Sequence, residues 1–435
     1  MKIAIVGGAS LRTPLLARAL DASTLPIDEL ALYDIDQDRL GAIAGLASRM
    51  CARASVRVCA SSADCVRDAR YIFISIRVGG IARRIADERL ALSQGLVGQE
   101  TVGAAGFALA LRTIGPVLEY AHEIAALAPE AWLINFTNPV GIVTQAITTN
   151  SGARTIGICD TPTELFHETA AVLGLNPQHC FFDYVGLNHL GWLREVYHDG
   201  RPQLDRLWRD PSAIARIYRA PLFDPEAICR LRMLPTEYLY YYERSDLAVE
   251  RLRASGTTRG EAIEALNRRF LAGLAQGGAD LVDNYDDYLA ARSAGYMRLE
   301  SGSVAPEVPT ADRAPASPTG YDRIALSVVE AIYHDRRDIV PLDVPNAGNL
   351  AGLEPDDVVE VPCVVGANGA LPLHVESVPD TVRPLMLAVK AYERLTIRAT
   401  VERSTELARE ALAANPLVGS HARADALLER MPLPW

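Results

Sequence analysis

Two residues of this chain stand where chemistry is expected. Cys159, in GICDTP, and His189, in VGLNHLGW, each lie just past or at the end of a short apolar run, TIGI and FFDYVGL, of the kind that forms a strand. A sheet presents such positions at its carboxyl edge. A thiolate and an imidazole converging there make a ligand pair for one divalent metal. Taken singly, the cysteine is as well explained as a small buried core residue, and the histidine as a satisfied core group. Their company favours the pair, because Asp160 follows the cysteine and Asn188 precedes the histidine.

The elements that must position them begin at the N-terminus. KIAIV at residues 2–6 is an apolar run that stops at Gly7 and Gly8, and a helix can start behind it with Thr13 as N-cap and Pro14 at its first position. The turn reads GGASLR, not GxGxxG. Gly7, Gly8 and Ser10 are the candidate cofactor contacts, although an ordinary tight turn explains the glycines equally well. The next apolar run, ELALYDID, ends in Asp34 and Asp36. A carboxylate there accepts both hydroxyls of an adenosine ribose and repels a 2′-phosphate, so Asp34 points to NAD over NADP.

The alternation continues. A helix at about 37–52, the strand VRVCA, a helical stretch near 62–68 and the strand YIFISI at 71–76 precede a long helix at about 105–127. The strand AWLINF and a helix opening at Pro139 follow. This order predicts a parallel, doubly wound sheet whose ligand crevice lies outside the carboxyl ends of the strands. Arg77, Gly79 and Gly80 follow one such strand; Asn135, Thr137 and Asn138 follow another. In NAD dehydrogenases an asparagine in an NP turn faces nicotinamide and substrate, and the alternative for Asn138 is a plain helix cap. Arg83, Arg84, Asp87 and Glu88 read as a surface helix, and GQETVGAAG, with Glu100, as a flexible loop able to close over a polar ligand.

Beyond VGLNHLGW, residues 196–300 read as mostly helical, with tyrosines at 238, 240, 241 and 242 and an arginine at 259. Four tyrosines so spaced cannot all face one way on a helix. Residues 304–320, rich in Pro and Ala, read as a linker. A helix at 321–334, β-like runs near 339–345 and 357–365, and one long helix from Lys390 to Leu412 complete the chain. The expected class is α/β: a Rossmann-like doubly wound sheet over 1–160, followed by a mixed α+β substrate and metal domain over 161–435.

Bulk properties narrow the partners. A net charge of -11 over 435 residues argues against nucleic acid and anionic membrane surfaces, which need a basic face. Seven cysteines without framework spacing point to a reducing compartment, and no apolar run is long enough to span a bilayer. A cytoplasmic protein is expected.

At this point RVGG, VGQETVGAAGFALALRTI, NFTNPVG, GICDTP, GLNHLGW, YLYYY, EVPC and AVKAYERLTIRA together resemble, in order from about residue 1 to 425, the NAD- and metal-dependent glycosidases of glycoside hydrolase family 4. The 6-phospho-β-glucosidase branch is the most similar. This class departs from the usual two-carboxylate glycoside hydrolysis. The resemblance implies NAD and a divalent metal, usually Mn2+, held by Cys159 and His189. It also implies Tyr238 as base, Glu100 as an acidic neighbour of that tyrosine, Arg77 near the cofactor, Asn138 and Arg84 on the substrate and Arg259 on its phosphate. Asp160 would be the proton donor. Phospho-β-specific relatives often carry asparagine after the cysteine, so Asp160 also admits a 6-phospho-α-glucosidase. The implied substrate is a phosphorylated sugar, and the implied assembly a homo-oligomer, dimer or tetramer. The rival reading is a net dehydrogenase of the malate or lactate kind, which shares the Rossmann half and the NP turn but needs no metal.

Overall fold

The computed structural model describes residues 1–218, 220–302, 320–375 and 378–435. Its strands, in chain order, are β1 (Lys2–Val6), β2 (Glu29–Tyr33), β3 (Ser55–Val58), β4 (Tyr71–Ile74), β5 (Trp132–Asn135), β6 (Arg154–Gly157), β7 (Cys180–Leu187), β8 (Leu190–His198), β9 (Arg201–Pro202), β10 (Leu234–Pro235), β11 (Asp338–Pro345), β12 (Val358–Gly366) and β13 (Gly369–Pro372). The first six lie in the order 3-2-1-4-5-6, all parallel. That is the doubly wound arrangement, with its switch point between β1 and β4. Runs such as YIFI show no polar face because helices cover both sides of a parallel sheet, and all four of its residues are buried.

The second half does not form a separate sheet. β11 pairs antiparallel with β6 through Asp343 and Gly157, and the order runs on through β12, β7, β8 and β10. Gly157 allows this seam: an added Cβ would lie 2.3 Å from Thr144 Oγ1 and 2.8 Å from the Asp343 Cβ. One mixed sheet therefore carries the carboxyl ends of β4, β5 and β6 and the β7–β8 hairpin into one neighbourhood.

Several expectations need adjusting. The first helix runs Thr13–Asp21 with Arg12, not Thr13, at the N-cap. Arg84, Asp87 and Glu88 lie on the helix Gly80–Ser93 but are buried, so that helix is not the surface helix its charges suggest. The long C-terminal helix is two, Arg383–Val401 and Thr405–Ala414. Arg403 at φ 51 breaks it, and the Ser404 side chain caps the second piece by accepting the Leu407 N–H. Between 203 and 300 the chain is mostly helical, as expected, in a series of helices that only the two-residue β10 interrupts. Except for Gly320, which precedes the helix Tyr321–His334, the expected linker lies outside the described residues. Among the described residues no helix is long and apolar enough to cross a membrane.

Candidate active site

A cavity of about 2160 Å³ opens at the carboxyl ends of the parallel strands. Gly7, Ser10, Asp34, Arg77, Arg84, Glu100, Asn138, Cys159, Asp160, His189, Tyr238 and Arg259 all line it. Gly8 does not. Its α-carbon packs against β2 and the following helix, where an added Cβ would stand 3.0 Å from both Leu32 and Leu40.

At one end the first turn closes on β2. The N–H groups of Gly7 and Gly8 both donate to the Tyr33 carbonyl at 2.9 Å, so neither is left to meet a phosphate. Gly7 sits at φ 92, and a Cβ there would come within 2.3 Å of the Ser75 carbonyl oxygen, which reserves the position for glycine. Asp34 braces the turn: its carboxylate accepts the Ala9 N–H at 3.0 Å and the Asp36 N–H at 3.1 Å while still facing the cavity. Across it, the Arg39 side chain donates to the Ala9 carbonyl at 2.9 Å.

Cys159 and His189 line the other end. Cys159 follows β6 and is buried, its sulfur 3.4 Å from the Thr161 hydroxyl. Burial, with Glu360 and Asp160 close by, holds its thiol well above the usual range. A divalent cation alongside reverses that balance, because a coordinating thiol is deprotonated outright. His189, in the left-handed region at φ 61, is also buried, and burial lowers its imidazole pKa to about 4 even with Glu100 nearby. It is therefore neutral, as a ligand must be. Among the described residues no third His, Cys, Asp or Glu joins them in a ready-made metal cluster. The donor set is soft thiolate plus imidazole with coordination positions to spare, which fits a metal that also takes substrate oxygens.

Tyr238 stacks on the His189 ring, with centroids 3.8 Å apart and planes within 4°. Burial raises its phenol pKa well above the ordinary value; a hydrogen bond with Tyr296 opposes this, and the Glu100 charge adds to it. Tyr241 also lines the cavity, but its hydroxyl donates to Glu300 at 3.1 Å and is committed there. Burial opposes the charge on Glu100, yet Arg77, Arg84 and Arg292 outweigh it and hold the carboxyl pKa at about 2. Arg77 Nη2 and Arg84 Nη1 approach Glu100 Oε2 at 2.6 and 2.9 Å. Glu88 takes the Arg84 Nε at 2.7 Å and the Gly260 N–H at 2.8 Å, fixing the guanidinium in place. Arg259, at the start of the helix Arg259–Gln276, donates to the Arg292 carbonyl at 2.6 Å. Arg84, Arg259 and Arg292 thus bring cationic heads to one wall, suited to an anion such as phosphate. Asn138 faces the same space with Oδ1 buried and without a hydrogen-bond partner.

Sequence reasoning missed Arg12, Arg292, Gln99, Thr101 and Glu360. Glu360 had a signal: a lone carboxylate inside the apolar run VVEVPCVV of β12. It is buried and accepts the Tyr184 hydroxyl at 2.6 Å, and burial, opposed by that bond, pushes its pKa up to about 7. The two arginines had none: both line the cavity, and Arg292 meets Arg259 from far along the chain as well as Tyr288 one turn back.

Comparison with known proteins assigns the chain to a family. The chain is 30% identical over 448 residues to the "Probable 6-phospho-beta-glucosidase" of Bacillus subtilis, covering 99% of this chain and 95% of that protein. It is 29% identical over 457 residues to the "Maltose-6'-phosphate glucosidase" of the same organism, covering 98% and 94%. Its fold matches the 6-phospho-beta glucosidase from Thermotoga maritima solved with manganese, NAD+ and glucose-6-phosphate, with a TM-score of 0.81, 27% identity and coverage of 99% and 97%. Residues 2–175 match the model of the family 4 glycosyl hydrolases, and residues 184–418 match the model of their C-terminal domain. With both models met in order along one continuous sheet, the chain belongs to the family 4 glycosyl hydrolases and is an enzyme of that family.

Proposed function

We propose that this enzyme hydrolyses 6-phospho-β-glucosides with NAD+ and a divalent metal, Mn2+ first among candidates. One observation carries the reading: Cys159, His189, Tyr238 and the arginine-held Glu100 line the same cavity as the Gly7 turn and Asp34. A net dehydrogenase would have no use for the cysteine beside the histidine. The relatives named above act on phosphorylated glucosides, and the Thermotoga maritima protein was solved with this cofactor, metal and sugar phosphate.

Bound there, NAD+ would supply a reversible hydride acceptor for the sugar's carbon 3, and the metal a Lewis acid together with the positive charge a buried phenol needs to ionise. The protein's own groups do the rest. Cys159 and His189 are the metal ligands; Gly7, Ser10 and Asp34 form the cofactor end, with Arg77. Arg84 and Asn138 orient the sugar, and Arg259 meets its phosphate. Tyr238 takes the proton from carbon 2, which is acidic beside a ketone at carbon 3. Asp160, at the N-terminus of the helix Thr161–Leu173, protonates the oxygen leaving carbon 1; water then adds at carbon 1 as carbon 2 regains a proton, and return of the hydride to carbon 3 restores the sugar, so that oxidation and reduction cancel and hydrolysis is net. Glu100 stays ionised throughout and anchors the arginines. In this reading the chain divides at about residue 160 into a cofactor part and a substrate part, works in the cytoplasm and assembles as a homo-oligomer.

Asp160 favours one alternative, the α-anomer, because the family resemblance pairs an aspartate after the metal cysteine with phospho-α-specific members and an asparagine with many phospho-β-specific ones. One assay addresses both questions: chromogenic 6-phosphoglucosides of α and β linkage, each with Mn2+ and with NAD+ or NADP+. The β-substrate with NAD+ is expected to turn over fastest, since Asp34 repels a 2′-phosphate. Faster cleavage of the α-substrate would reverse the anomeric assignment, and equal support by NADP+ would remove Asp34 from the ribose.

A further inference from the structure

The hydrogen atoms around His189 can be placed by elimination. The side-chain oxygen of Gln99 accepts two backbone N–H groups, from Thr101 at 2.6 Å and Val102 at 3.0 Å, so this atom is the amide oxygen and not its nitrogen. The Thr101 hydroxyl lies 2.9 Å from the same oxygen. An oxygen that is only an acceptor leaves the hydroxyl no choice but to donate, which spends its single proton. That hydroxyl is also 3.0 Å from His189 Nδ1. With its proton already given away it can only accept there. Nδ1 must therefore carry a hydrogen, which in a neutral imidazole leaves Nε2 its lone pair.

All three side chains are buried, so water does not compete for these bonds. The face of the imidazole is fixed by the Tyr238 stack and its edge by Thr101. A ring on a left-handed backbone residue needs such holding, because φ 61 is disfavoured for a side chain with a Cβ.

We propose that Gln99 and Thr101 are positioning residues for the metal: Gln99 fixes the Thr101 proton, Thr101 fixes the His189 tautomer, and Nε2 is thereby presented as an unprotonated ligand. Metal-binding histidines commonly have their second nitrogen held by a carboxylate or carbonyl. Here a neutral hydroxyl does it, which works only because an amide oxygen orients that hydroxyl. The inference rests on the reading of Cys159 and His189 as the ligand pair, and the test separates the two.

Manganese binding is followed by loss of the free-ion paramagnetic resonance signal, in the presence of NAD+ and glucose 6-phosphate. Thr101→Val removes the acceptor at nearly constant shape and should weaken Mn2+ binding about 10- to 100-fold, the usual cost of losing such an outer partner, with NAD+ affinity unchanged. Thr101→Ser should restore it. Gln99→Glu, which still accepts all three hydrogens, should bind like the parent, whereas Gln99→Leu should not. Thr101→Val equal to the parent, or Thr101→Ser as weak as Thr101→Val, overturns the proposal while leaving the ligand pair standing. A parent enzyme that does not bind Mn2+ overturns the ligand pair itself. Should Thr101→Val fail to fold, the 15N spectrum of histidine-labelled parent enzyme decides, with His189 identified by its loss in His189→Gln. An Nδ1–H tautomer supports the assignment, and an Nε2–H tautomer ends it.

Discussion

Cys159→Ser and His189→Ala, stripped of metal and then resupplied with Mn2+, are expected to show no turnover while still binding NAD+. A two-ligand site has nothing in reserve. Loss of an outer partner already costs about 10- to 100-fold in metal affinity, so loss of a ligand itself should cost more. Serine keeps the size of the cysteine, but its hydroxyl is not ionised near neutral pH and cannot take the place of a thiolate. The cofactor end should be untouched, because Gly7 and Asp34 are braced by Tyr33, Ala9 and Asp36 and not by the metal pair. Isothermal titration with Mn2+ and with NAD+ checks both halves of the expectation. Full activity in either metal-stripped variant would remove that residue from the metal.

Tyr238→Phe is expected to lower hydrolysis by about two to four orders of magnitude, the usual cost of losing a general base. The ring stays, and with it the stack on His189, so the fold should survive. Oxidation at carbon 3 does not use the phenol. The variant should therefore still exchange hydride between sugar and NAD+, seen as isotope passing from a substrate labelled at carbon 3 into the nicotinamide ring. Tyr241→Phe offers the contrast. Its hydroxyl serves Glu300, so that variant should lose stability more than rate. Unimpaired hydrolysis by Tyr238→Phe would move the base elsewhere, and Tyr241 would be the first to re-examine.

What could be read from the sequence and what could not divide along physical lines. The parallel half was legible because most of its strands are short apolar runs alternating with helical stretches, and the helix Tyr321–His334 because its apolar period is regular. The seam between β6 and β11 was not, since Gly157 and Asp343 meet from distant parts of the chain. Arg84, Asp87 and Glu88 look like a solvated face when read locally. They are buried because Glu100, Arg112 and the Gly260 N–H supply partners that no helical period announces. Tyr238, Tyr240 and Tyr241 are all buried, although they cannot share one helical face, because the helix Leu239–Glu243 is packed on several sides. The candidate site itself was legible as residue types, and nearly all of them line the cavity; the arginine wall and the Gln99–Thr101 pair behind His189 became visible only in three dimensions.

In the proposed mechanism glycoside cleavage proceeds through proton removal at carbon 2 and not by direct displacement at carbon 1. The most direct test is hydrolysis of a 6-phospho-β-glucoside in D2O with Mn2+ and NAD+, followed by proton NMR of the sugar phosphate released. Deuterium is expected at carbon 2 of the product, with no net accumulation of NADH. Complete hydrolysis with ordinary hydrogen retained at carbon 2 would contradict it.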